Sequence, residues 1–220
     1  MPSKNTIVYL IRHGLSTANA TGILAGRDES VHLNDAGNEQ ARLLAIRLSI
    51  EKFDRIYSSP LPRCQETIAP YLEKAKTTAI IEPNFIEMEY GTWSGKKLSK
   101  LSKKDMWPTI QNTPSRVRFP HGESFLEMSH RANQALHNVS EGFEKVCIVS
   151  HGDVIKAIVA AQLSLSVDHL QKFAVDPASI TIISIGKARS TLLKLNDTSH
   201  LNRNQESSSK ETLGGGAGTS

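Results

Sequence analysis

The chain has 220 residues, 39% of them hydrophobic, enough for one sizeable core, with a formal charge of +4 and a pI near 9.1. Its basic residues are interleaved with acids and aromatics are sparse, so an acidic small molecule suits it better than nucleic acid, for which no stacking platform is visible. No apolar run is long enough to span a bilayer and the first residues do not read as a signal peptide; Cys64 and Cys147 read as free thiols in a reducing cytoplasm, not as a disulfide.

In chain order, strand and helix signals alternate. Thr6 to Ile11 is a continuous β-rich apolar run, as expected of a strand buried on both faces. After a polar loop over residues 14–32, Asn34 is a plausible N-cap for a helix to about Ile50, with Ala41, Leu44, Ala45 and Leu48 on one face. Asp54–Ser58 reads as a short strand. Ser59-Pro60 then offers a cap followed by proline at the first helical position, opening a helix to about Glu73 that Pro70 should bend or interrupt. Residues 79–82 suggest another short strand. Residues 83–122 show no clear periodicity yet hold four of the nine prolines and both tryptophans, and an insertion of that kind is more often functional than idle. Phe125, Met128, Ala132, Ala135, Leu136 and Val139 mark one face of a helix starting near Glu123. Val146–Ser150 is a second buried strand, His151-Gly152 turns into a helix, and residues 179–185 and 191–195 read as a closing pair of strands. This pattern predicts a three-layer α/β/α sandwich with a mostly parallel central sheet. One domain is expected over residues 1–197. From residue 198 a Ser- and Gly-rich tail to residue 220 is expected to be disordered.

Ligands of such sheets collect where strands end and loops turn into helices. Three strand ends carry unusual residues: Arg12-His13-Gly14, Ser58-Ser59-Pro60-Leu61-Pro62-Arg63 and Ser150-His151-Gly152. A lone histidine after a strand is usually structural; His-Gly after an apolar strand twice over is a stronger signal. Guanidinium groups bind phosphate oxygens bidentately and stay charged. A neutral imidazole whose other nitrogen donates to a carbonyl is a competent nucleophile toward phosphorus. Phosphoryl transfer needs mostly positioning and cationic stabilisation, which arginines and a second histidine supply without a metal.

The block from Leu10 to Asn19 (LIRHGLSTAN) resembles the signature of the histidine phosphatase, or phosphoglycerate mutase-like, superfamily. Leu33–Ala41, Ser58–Arg63, Phe85–Gly95 and His121–Ser124 leading to Ser150–Gly152 agree with it in order and spacing. The resemblance covers about residues 5–196, and Ser150–Lys156 (SHGDVIK) and Val175–Ser179 (VDPAS) resemble a phosphomutase branch of that superfamily. It implies a phosphoglycerate mutase-like fold with His13 as phosphoacceptor and Arg12 and Arg63 as clamps on the phosphoryl oxygens. His151, followed by Gly152, would stabilise the transition state from the opposite side, and Asn19 would donate to the phosphate. Glu87 aligns with the proton donor, and a pKa raised by burial is expected for that role. Glu89 is the competing candidate, sharing a face with Glu87 if the segment is extended. Glu123 reads either as a helix-terminal cap or as the partner of an arginine. Lys96, Lys97, Lys100, Lys103 and Lys104 read either as a solvated face or, with Arg116 and Arg118, as a lid recognising a second acidic group of the substrate.

The resemblance implies a cytoplasmic enzyme acting on a small phosphomonoester through phosphohistidine, with no metal and no cofactor; a homodimer is compatible with it. A mutase, which would need 2,3-bisphosphoglycerate as primer, is the alternative: Tyr90 matches the mutase block, whereas the stretch from Gly95 to His121 is shorter than the mutase form. A non-catalytic phospholigand-binding regulator is the third reading. Loss of one of these site residues would be its mark, and none is missing.

Overall fold

A computed structural model describes residues 5–201, so nearly all of the expected tail lies outside the described residues. The first element, β1 (Thr6–Arg12), alternates its side chains between two cores. Val8 and Leu10 enter one apolar cluster, and Tyr9 and Ile11 enter the other. The short helix α1 (Thr17–Ala20) follows, and then α2 (Asp35–Leu48), capped as expected by the Asn34 side chain, which accepts from the Gly37 amide. Strand β2 (Arg55–Ser58) leads to α3 (Pro62–Ala75). A two-residue strand, β3 (Ile80–Ile81), precedes the insertion.

The insertion is ordered by packing rather than by periodicity. It holds the short helices α4 (Leu98–Leu101) and α5 (Trp107–Asn112) and several 3₁₀ turns. Phe119 is at its centre, with its ring centroid 5.1 Å from Tyr90, 5.4 Å from Trp93 and 5.7 Å from Phe125. Beyond it come α6 (Phe125–Ser140), β4 (Lys145–Ser150), α7 (Gly152–Gln162), β5 (Ile180–Ile185) and β6 (Ser190–Asp197).

The six strands form one sheet in the order β3-β2-β4-β1-β5-β6. The pairs β3·β2, β2·β4 and β4·β1 are parallel, whereas β5 and β6 close the sheet antiparallel. Side chains of α2 and α3 share one core with Tyr9, Ile11, Cys147 and Val149 of the sheet. Those of α6 and α7 share the other with Val8, Leu10, Val146 and Ile148. The three layers follow, and each fully buried Leu or Ile contributes about 1.5–3 kcal/mol.

Two expectations need correction. Helix α3 starts at Pro62 with Leu61 as its cap, two residues later than the Ser59-Pro60 signal implied. The Ser59 amide continues the pairing with β4 through the Val149 carbonyl, and its hydroxyl is committed to His151. Nor does Pro70 interrupt the helix, which runs to Ala75. An interior proline costs about 3 kcal/mol; burial of Cys64, Thr67, Ile68 and Tyr71 on both sides of it outweighs that loss.

Candidate active site

Adjacent parallel strands bring the two His-Gly pairs together. Arg12 of β1 lies beside Ser150 of β4, and the His13 amide donates to the Ser150 carbonyl at 3.0 Å. His13 and His151, each one residue past that pair, face one another with ring centroids 5.2 Å apart. Both rings are buried.

The His13 Nδ1 lies 2.7 Å from the Gly14 carbonyl oxygen. A carbonyl only accepts, so Nδ1 carries the hydrogen and Nε2 keeps its lone pair. Burial, then the positive charges of Arg63 and Arg12, hold the His13 pKa well below its ordinary value. The ring is therefore neutral and nucleophilic at neutral pH. The Gly14 amide is fixed in turn by the Thr67 hydroxyl at 2.9 Å. This loop passes so close to α2 that a Cβ on Gly14 would stand 2.9 Å from the Gly37 carbonyl oxygen, and one on Gly37 would stand 2.1 Å from that of Leu15.

Two guanidinium groups flank the histidines. Arg12 is fully buried and donates from Nη1 to the Val175 carbonyl at 2.6 Å. Arg63, in the first turn of α3 and only 1% exposed, donates to the main-chain carbonyls of Gly26 at 2.7 Å and Asp28 at 3.2 Å. Arg63 makes no ion pair among the described residues. Burying a cation against neutral acceptors is expensive, and the arrangement is suited to an incoming anion.

His151 places Nε2 2.8 Å from the Ser59 hydroxyl and Nδ1 3.9 Å from a Glu87 carboxylate oxygen. Burial first, then the positive charges of Arg63 and Arg12 beside the neighbouring His13 ring, hold its pKa well below the ordinary value. Glu87 is buried, and one carboxylate oxygen accepts the Met88 amide at 2.9 Å. Burial first, and the negative charge of Asp153 second, push the Glu87 pKa up to about 7, against the lowering effect of the Met88 amide, Arg63 and Arg12. Two histidines, two arginines and one proton-holding carboxyl thus share a single compartment at the carboxyl end of the sheet.

A sequence model of the histidine phosphatase superfamily (branch 1) matches residues 8–198. The chain belongs to this superfamily. It is 34% identical to phosphoserine phosphatase 1 of Hydrogenobacter thermophilus over 88% of this chain and 93% of that protein. A Yersinia pestis protein named "Probable phosphoglycerate mutase GpmB" is 30% identical over 72% of this chain and 75% of its own length. Among solved structures, a phosphoserine phosphatase variant of Entamoeba histolytica in complex with phosphoserine superposes with a TM-score of 0.80 at 26% identity, covering 89% of this chain and 99% of that one.

In this superfamily member the remaining predicted residues divide. Gly152 is buried at the first position of α7, directly after His151. Asn19 is half-buried; its side-chain oxygen accepts the Ser16 amide at 3.2 Å and the Ser16 hydroxyl at 2.8 Å, closing a capping box on α1. Glu89 does not share the compartment with Glu87: its side chain is 36% exposed and faces Arg27 at 3.4 Å. Glu123 is not the helix cap, which is Ser124. It accepts from Arg27 at 3.0 Å and from Arg131 at 2.6 Å, and both arginines also donate to the Glu87 carbonyl. The five lysines of residues 96–104 are exposed, and Arg118 pairs with Glu127.

Sequence reasoning assigned no role in the site to Ser59, Thr67, Asp153, Arg27 or Arg131. The SSPLPR and SHGD motifs contain the first and third of these, and the other three are recruited by tertiary contacts. Cys64 and Cys147 are both buried and free, as read. Among the described residues no helix is long and apolar enough to cross a membrane.

Proposed function

We propose that the protein is a phosphatase of small phosphomonoesters that carries the phosphoryl group on His13 Nε2. The observation that carries this reading is the 2.7 Å contact of His13 Nδ1 with the Gly14 carbonyl, inside a compartment walled by Arg12, Arg63 and His151. It leaves one imidazole nitrogen with a lone pair and surrounds it with charge suited to a phosphate. His13 Nε2 attacks phosphorus and the bond to the ester oxygen breaks. Glu87, protonated up to about pH 7, gives that oxygen its proton. Glu87 then takes a proton from water as the water attacks the phosphohistidine and the P–N bond breaks. Arg12, Arg63 and neutral His151 hold the equatorial oxygens. With its oxygen tied to Ser16, Asn19 has its amide N–H₂ as the end suited to donate to them. No metal or other cofactor takes part.

Phosphoserine is the first substrate to test, because relatives in sequence and in structure are named for it. Phosphate release is measured from phosphoserine and a panel of phosphomonoesters in excess chelator, with acid-labile phosphate on His13 trapped in parallel. Chelator-resistant release that His13→Ala abolishes is expected; turnover with no label on His13 would overturn the reading. The mutase alternative draws on Tyr90 and on the Yersinia relative. It is favoured if the label forms and phosphoglycerates interconvert, given the diphosphate primer, faster than phosphate is released.

A further inference from the structure

The SHGD motif carries a buried acid that the mechanism above does not use. Asp153 sits in the first turn of α7, two residues after His151, and is 1% exposed. One of its carboxylate oxygens accepts the phenol of Tyr90 at 2.7 Å. Tyr90 is fully buried and lies three residues beyond Glu87. One hydrogen bond therefore ties the segment that carries Glu87 to the helix that follows His151, across the 3.9 Å separation of those two groups.

We propose that Asp153, held by Tyr90, is a positioning residue: its bond to the buried Tyr90 phenol sets the spacing of Glu87 and His151, and its carboxylate, buried on the same side of the sheet, opposes a second charge at Glu87. This rests on the reading of Glu87 as the proton donor. Two like charges in one buried compartment cannot both form cheaply; Asp153 also acts on Arg12, Lys156 and Tyr90. The opposing cations are Arg12 from β1 and Arg63 from α3, which draw the Glu87 proton off. Lys156, one turn along α7 and also buried, donates to the Gln171 side chain at 3.2 Å and feels the charge of both acids. Cys64 and His151 complete the surroundings, while Arg27 and Arg131 touch Glu87 only at its main-chain carbonyl. Asp176 acts on Arg12 and Lys156. Removing the Asp153 carboxylate charge leaves Arg12 and Arg63 in place, and both favour ionisation of Glu87.

Two variants separate charge from geometry. Asp153→Asn keeps an acceptor for the Tyr90 phenol and loses the charge; Tyr90→Phe keeps the charge and loses the bond. The Glu87 carboxyl is followed by ¹³C NMR titration, assigned with Glu87→Gln, and kcat and KM are measured against pH on the best phosphomonoester. In Asp153→Asn the Glu87 midpoint falls by about one pH unit, the size expected of one nearby charge at an effective dielectric of about 20. The alkaline limb of kcat moves down with it. In Tyr90→Phe the midpoint stays above that of Asp153→Asn, while kcat drops about tenfold with KM little changed. An unmoved midpoint in Asp153→Asn overturns the proposal, as does wild-type kcat in Tyr90→Phe; the second variant decides the matter if the first does not fold. The titration needs no turnover, so the two readings fail separately. A midpoint that moves while His13 is never labelled sinks the phosphohistidine route, whereas a labelled His13 with an unmoved midpoint sinks the role of Asp153.

Discussion

Gly37→Ala tests whether the nucleophile's orientation depends on the close approach of α2 to the loop after His13. A Cβ at position 37 would stand 2.1 Å from the Leu15 carbonyl oxygen and 2.9 Å from its carbon, below the 3.0 Å that real Cβ contacts respect. The same carbonyl accepts the Asn34 amide at 3.0 Å, so moving it strains the helix cap as well. Alanine recovers about 1 kcal/mol of helix propensity. Against that stand roughly 1–3 kcal/mol of overpacking and about 1 kcal/mol for a weakened hydrogen bond. The net loss is about 2 kcal/mol, which lowers Tm by about 4–8 °C in a chain of this size. Calorimetry with unfolding by two probes measures it. The backbone that must yield is joined directly to Gly14, whose carbonyl sets the His13 tautomer. Rapid-quench labelling of His13 should therefore slow more than the stability loss explains, since an ångström of misplacement costs on the order of 100-fold. A variant that melts within about 1 °C of wild type and labels at the same rate would refute the argument.

Glu87→Gln should lower kcat by about 10²–10⁴-fold, the usual worth of a general acid. Its effect on stability runs the other way. The native carboxyl holds its proton to about pH 7 against an ordinary 4.5, so between those values the folded state binds the extra proton and wild-type stability falls as pH rises. The glutamine variant escapes that loss: its Tm advantage should grow from about pH 4.5 to 7 and then level off, by about 3 kcal/mol at most. A Tm difference independent of pH would contradict the shift. Arg63→Met removes a buried cation that makes no ion pair among the described residues, so stability should hold or rise; the thermal protection that phosphate gives the wild type should vanish, and persistence of that protection would count against Arg63 as a clamp. Glu123→Gln uncouples Arg27 and Arg131 from one another, and kcat should fall about tenfold with the Glu87 titration little moved. An unchanged kcat would reduce that cluster to a surface bridge.

The alternation of apolar strands and amphipathic helices was legible because the central strands β1, β4 and β5 are buried on both faces. The two His-Gly pairs stood out because polar residues rarely end such runs without cause. Ser59 was misread for a local reason: Ser-Pro is a good cap signal, and nothing nearby in the chain shows that a histidine 92 residues away claims the hydroxyl. Nothing in the sequence marks Asp153 as buried, because the residue that covers its carboxylate, Tyr90, comes from the distant insertion. That insertion has no period to read; Phe119 and its aromatic neighbours hold it through contacts between distant segments. Glu123 could be read as a cap or as the partner of an arginine, and the sequence could not choose because Arg27 and Arg131 come from a loop and from the next helix.

The pairing of Arg12 with Ser150 has a consequence for how the enzyme fails. His13 and His151 meet only because each is one step past that pair, and strands slip in steps of two residues if their faces are to stay buried. One such slip would carry the rings about 6.6 Å past each other, too far to hold one phosphoryl group between them. No partly active intermediate register exists. On denaturant titration the capacity to label His13 should disappear along the same curve as the β1–β4 amide protection, so the chemistry serves as a gauge of whether the sheet has closed in the one alignment that makes it.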